Sequence, residues 1–124
     1  MPLGDRLPRY RIADLAIDVG RRNVRRGSSE IHLSKLSFDV LLALIDAAPN
    51  IVSNEDLTRT VWKGVVVGPE SVTQRVKLLR DALDDNPAAP RYVAGLRGQG
   101  YRLVPPVIVE PERIWRWESG SSEG

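Results

Sequence analysis

The strongest constraint on this chain is the run Gly95-Leu96-Arg97-Gly98-Gln99-Gly100-Tyr101-Arg102-Leu103, set shortly after a helix-patterned segment. Gly98 and Gly100 permit positive φ. Tyr92-Val93-Ala94 leads in and Tyr101-Arg102-Leu103-Val104 leads out, both rich in β-forming residues. The run therefore predicts a short β-hairpin with Arg97 at its tip. Upstream, Glu70 to Leu83 places Val72, Val76, Leu79 and Leu83 on one side of a helical wheel. Thr73, Gln74, Lys77, Arg80 and Asp81 fall on the other side. An amphipathic helix followed by a basic hairpin leaves few folds open.

The rest of the chain supplies a scaffold for that pair. Tyr10-Arg11-Ile12 and Leu15-Ala16-Ile17-Asp18-Val19 read as strands, and Asn23-Val24-Arg25-Arg26 as a third after the turn Gly20-Arg21-Arg22. Gly27-Ser28-Ser29 turns the chain into Glu30-Ile31-His32-Leu33. Such a small antiparallel sheet needs a helix over one face. Ser34 suits the cap of a helix to about Ala48, with Phe38, Leu41, Leu42 and Ile45 at helical spacing. Pro49-Asn50 stops it. Ser53-Asn54-Glu55-Asp56 has capping-box form and opens a second helix, with Leu57, Val61 and Trp62 on its buried side. Gly64 ends that helix, and Pro69 is well placed as the first residue of the third. Asn86-Pro87-Ala88-Ala89-Pro90 forms the loop into the hairpin.

Pro105-Pro106 marks a change of character. Residues 1–8 read as a disordered leader, 9–107 as one domain, and 108–124 as a linker or tail with 119–124 flexible. Ile114, Trp115 and Trp117 are too apolar for a free linker and predict packing on the sheet or on a neighbouring molecule. Residues 1–107 carry 16 Lys and Arg against 12 Asp and Glu, so the body is mildly basic and suits a polyanion without demanding one.

Several classes of function are excluded or disfavoured. No stretch approaches the roughly 20 apolar residues of a spanning helix, and Met1 to Gly20 lacks the apolar block of a secretion signal. There is no cysteine, and a single histidine, His32, cannot build a metal cluster. With no phosphate-cradling glycine loop and only scattered carboxylates, no catalytic residue, metal ligand or cofactor is expected. The chain does not read as an enzyme.

An ordered set of residues resembles the OmpR/PhoB-type winged-helix DNA-binding effector domain. It comprises Leu33-Ser34, Val52-Ser53, Leu57, Val61-Trp62, Val72, Leu79-Arg80-Asp81-Ala82-Leu83, Tyr92 and Arg97-Gly98-Gln99-Gly100-Tyr101-Arg102, across roughly residues 9–104. Within that family the chain looks most like the CadC/ToxR-like subgroup, in which no receiver domain precedes the DNA-binding domain. The resemblance implies an α+β fold: a winged helix-turn-helix with a four-stranded antiparallel N-terminal sheet, three helices and a C-terminal hairpin wing. It implies bacterial transcriptional regulation in the cytoplasm, by a small protein or by the cytoplasmic domain of a longer membrane-anchored regulator. It also implies two copies on adjacent half-sites of double-stranded DNA, from a domain that is monomeric alone.

Under that reading the third helix enters the major groove. Thr73 suits a thymine methyl or a phosphate, Gln74 an adenine, and Lys77 a guanine or a phosphate. Ser71 sits at the helix N-terminus, whose free N–H groups suit a phosphate, although Glu70 beside it opposes one. Arg97 enters a narrow minor groove, where negative potential concentrates. Gln99, Arg80 and Arg102 complete the DNA-binding set, with Arg102 equally readable as structural. Arg21-Arg22 with Arg25-Arg26 read as a solvated face of the sheet. Leu78 lies off the core stripe. The loop Val65-Val66-Val67 is either core under the third helix or, as the resemblance implies, a contact for RNA polymerase. The rival function is a winged helix used for protein–protein contact, with no DNA bound.

Overall fold

The computed structural model describes residues 9–63, 65 and 67–110. Four short strands come first: β1 (Arg9–Ile12), β2 (Leu15–Asp18), β3 (Asn23–Arg26) and β4 (Ser29–Ile31). They pair antiparallel in sequence order. Ile12, Leu15, Ile17 and Val24 lie on one face and are buried. The alternating pattern therefore fixes which side of the sheet meets the core. β4 ends at Ile31 rather than continuing to Leu33, and His32 is exposed just beyond it.

Three helices follow: α1 (Lys35–Ala47), α2 (Asn54–Val61) and α3 (Pro69–Leu83). The first two are capped as the sequence predicts. Ser34 Oγ accepts the Ser37 N–H, and Ser53 Oγ accepts the Asp56 N–H. α1 buries Phe38, Val40, Leu41, Ala43, Leu44 and Ile45 in the same core as the sheet's inner face, while Leu42 is only half-buried. Two strands then form the wing, β5 (Val93–Leu96) and β6 (Gly100–Leu103), paired with Leu96 opposite Gly100.

A seventh strand, β7 (Val107–Glu110), corrects the expected four-stranded sheet to five. It pairs antiparallel with β1, placing Glu110 opposite Arg9 and Val107 opposite Ile12. The sheet order is β4-β3-β2-β1-β7. Pro105-Pro106 ends the wing strand rather than the fold. The β-branched residues that follow fill the free edge of β1, so the tail expected from residue 108 begins inside a strand. Trp115, Trp117, Ile114 and the leader lie outside the described residues.

A buried carboxylate sets the path from α3 to the wing. Asp84 takes a left-handed conformation (φ 59°) and closes the helix, and the Asp85 N–H then donates to Arg80 O (2.8 Å). This turn directs Asp85 inward. Its carboxylate accepts the backbone N–H groups of Arg91 (2.7 Å), Tyr92 (3.2 Å) and Val93 (2.9 Å). No local sequence pattern marks Asp85 for this role, because its partners lie six to eight residues further on.

Candidate nucleic-acid interface

α3 and the wing face one open concavity. Its lining includes Thr73 and Arg80 of α3, Arg97, Gln99 and Tyr101 of the wing, and Ser53, Asn54 and Glu55 at the start of α2. The local sequence explains the aim of each part. Val72, Val76, Leu79 and Leu83 are buried as predicted, which turns Thr73, Gln74 and Lys77 outward. Pro69 begins the helix, where its missing N–H removes no hydrogen bond. Ser71 is exposed in the first turn, and its N–H donates to Gly68 O (3.0 Å).

The charges near this surface are mixed. Lys77 Nζ lies 3.2 Å from Asp81 Oδ2, with both side chains more than half exposed. Such a pair is weak and exchanges readily for another anion. Arg97 is exposed and has no ion-pair partner among the described residues. Glu55 and Glu70 are also exposed at the helix starts and limit the positive potential there.

At the tip of the wing, Gly98 takes φ +75° and the Gln99 N–H donates to Leu96 O (2.9 Å). At its root, Val52 and Tyr101 exchange two backbone hydrogen bonds, of 2.7 and 2.9 Å. This bridge ties the wing to the segment just before α2. Arg102 is half-buried, and its Nη1 donates to Leu103 O (3.2 Å). It runs along the strand rather than standing at the tip.

Arg80 differs from the other residues of the expected set. Its Nε and Nη2 both donate to Val93 O, at 3.3 and 3.2 Å, so its guanidinium grips the wing. Arg75, not singled out from the sequence, reaches back to α1, where its Nη1 donates to Ser34 Oγ (3.1 Å). Both lie at the border between the buried and solvated sides of α3, where a wheel drawing alone does not reveal a partner.

Of the four arginines expected on a solvated face, Arg21, Arg22 and Arg25 are exposed and Arg26 is half-buried, and two of them, Arg22 and Arg26, also make structural contacts. Arg22 pairs with Asp39 (2.7 Å) and lies 4.5 Å from the Phe38 ring centre. Arg26 pairs with Asp14 (3.2 Å) and donates to Leu83 O (2.6 Å) and to the Tyr92 hydroxyl oxygen (3.2 Å). The Tyr92 hydroxyl donates in turn to Asp14. That bond, against opposing burial, lowers the Asp14 pKa. Burial first, then Asp14, raises that of Tyr92. The cluster joins the sheet to the end of α3.

Val65 is 62% exposed, which removes it from the core. Val67 is half-buried, and Val66 lies outside the described residues. Leu78 is 39% exposed. Among the described residues no helix is long and apolar enough to cross a membrane, and no group of three or more His, Cys, Asp and Glu could hold a metal.

Comparison with known proteins gives a consistent result. A family model described as "Transcriptional regulatory protein, C terminal" matches residues 28–103. The KDP operon transcriptional regulatory protein KdpE of Escherichia coli is 30% identical over 103 residues, covering 78% of this chain and 44% of that protein. Among solved structures, the DNA-binding domain of Klebsiella pneumoniae RstA, in complex with the RstA box, superposes with a TM-score of 0.73 at 29% identity. That match covers 78% of this chain and 97% of the other. The DNA-binding domain of E. coli CadC superposes with a TM-score of 0.72 at 27% identity, covering 83% and 97%. The chain spans less than half the length of the curated relatives KdpE, HilA and CadC.

Proposed function

The chain belongs to the OmpR/PhoB-type family of DNA-binding transcriptional regulator domains, and on that premise we propose that it reads double-stranded DNA with α3 in the major groove and Arg97 in the minor groove. The open concavity that Thr73 and Arg80 of α3 share with Arg97 and Gln99 of the wing supports this most directly, with Gln74 and Lys77 exposed on α3 outside its lining. An α-helix fits the major groove of B-DNA. Thr73, Gln74 and Lys77 supply a methyl-complementary, a bidentate amide and a cationic contact in turn, and Ser71 adds a phosphate contact at the helix start. Arg97 and Gln99 stand at the wing tip, and Arg102 lies along the strand behind them.

Two copies would occupy half-sites about one helical turn apart, the spacing usual for helix-turn-helix pairs. The exposed Val65 supports a contact of the α2–α3 loop with RNA polymerase. The work of such a regulator on DNA belongs to the cytoplasm. The experiment is duplex binding by fluorescence anisotropy across salt concentrations. A steep salt dependence is expected. Flat, undetectable binding by the folded chain would favour a protein-interaction module instead.

Two variants resolve the contacts. Arg97→Ala should weaken binding to all duplexes and reduce the slope of log affinity against log salt by about 0.9, the value of one lost phosphate-type contact. An unaltered slope would remove the wing tip from the interface. Gln74→Ala should instead relax preference at one base pair by about 1–3 kcal/mol. The check is a competition series in which each base pair of a selected site is changed in turn.

A further inference from the structure

We propose that Arg80 is a positioning residue, one that fixes the wing against the reading helix rather than contacting DNA itself. The proposal rests on the DNA-binding reading above and refines it. Arg80 stands in the last turns of α3, on the border of its buried side. Its guanidinium reaches the wing root, where two of its nitrogens converge on the carbonyl of the buried Val93. The same group lies 5.9 Å from the centre of the Tyr101 ring, across the hairpin. The slot is completed by Gly95: a Cβ at that position would sit 3.3 Å from Arg80 Nη2 and 3.3 Å from Tyr101 Cε1.

Carbonyl, ring and bare glycine backbone therefore enclose the guanidinium on the wing side. A planar fork with fixed donors suits such a slot, whereas a single ammonium cannot make both hydrogen bonds at once. The root matters because the tip lies far from it. Arg97 is four residues beyond Val93 along the strand, about 13 Å at the usual rise, so a root tilt of about 10° would displace the tip by ~2 Å. That displacement is enough to take an arginine out of a narrow groove. Arg80 thus sets where Arg97 lands relative to Thr73, Gln74 and Lys77.

The test uses the full chain and a labelled duplex selected from a random DNA pool with the wild-type protein. Arg80→Met, Arg80→Lys, Arg97→Ala and the Arg80→Met/Arg97→Ala pair are compared across salt. Arg80→Met is expected to weaken binding about as much as Arg97→Ala, roughly tenfold. The double variant should be no weaker than Arg97→Ala alone, and Arg80→Lys should behave like Arg80→Met despite keeping its charge. A further slope loss of about 0.9 on adding Arg80→Met to Arg97→Ala would overturn the proposal, because it would mark a direct phosphate contact. Full rescue by lysine would overturn it as well.

Amide spectra of the DNA-free chain give an independent reading. Both Arg80 variants should shift the resonances of Gly95, Leu96, Arg97 and Gly98, and unmoved wing resonances would refute the anchor. Absence of DNA binding by the wild type would instead refute the DNA reading. The amide spectra would then still decide whether Arg80 holds the wing.

Discussion

Gly100→Ala should unseat the wing and cost about 3 kcal/mol or more, well beyond a lost side-chain contact. Gly100 has φ +139°, a conformation that side chains rarely adopt. A Cβ there would stand 2.0 Å from Val52 O and 2.8 Å from Ser53 Cα, both backbone atoms that cannot rotate away. Relief requires the wing to leave Val52, which breaks the two Val52–Tyr101 hydrogen bonds. The melting temperature of a domain this size should fall by roughly 10–20 °C. Gly98→Ala is the control. Its φ is +75° but nothing lies within 4 Å of the added carbon, so only the roughly 1–2 kcal/mol of left-handed strain applies. Equal melting temperatures for the two variants would sink the steric argument.

Asp85→Ala should destabilise the fold by about 3 kcal/mol, since three backbone donors lose their acceptor inside the protein. Asp85 is 7% exposed, and its carboxylate receives the N–H groups of Arg91, Tyr92 and Val93 at 2.7–3.2 Å. These residues lead into the wing, so the damage should concentrate there. Urea unfolding would show a lower midpoint, and hydrogen exchange would show faster loss of the Tyr92 and Val93 amides. Asp85→Asn keeps one acceptor oxygen and should fall between alanine and wild type. Wild-type exchange rates at Tyr92 and Val93 in the alanine variant would show that the carboxylate is dispensable.

These two positions show where sequence reading reached and where it stopped. Periodicity located α1, α2 and α3, and the Ser34 and Ser53 caps, because helix patterning and capping are local. The glycines of the hairpin announced a turn, but Gly100 answers to Val52, 48 positions earlier, and no local pattern carries that contact. The fifth strand is not legible in the sequence for a related reason. Pro105-Pro106 reads as an end, and only the open edge of β1 gives the following β-formers a partner. At the interface, the outward residues Thr73, Gln74 and Lys77 follow from the wheel. The partners of Arg75 and Arg80 on α3, and of Arg26 on β3 away from the interface, do not follow from any such pattern, since a long side chain at a face boundary takes its role from whatever lies within reach.

The pairing of β1 with β7 also determines how the domain answers to force. Arg9 and Glu110 face each other at the same end of an antiparallel pair, so the two ends of the described fold emerge side by side. Tension between them loads the β1–β7 hydrogen bonds one after another, as in opening a zipper, instead of all together in shear. The edge strand should therefore peel away at low force, while the core around α1 and α3, which carries the reading surface, remains intact.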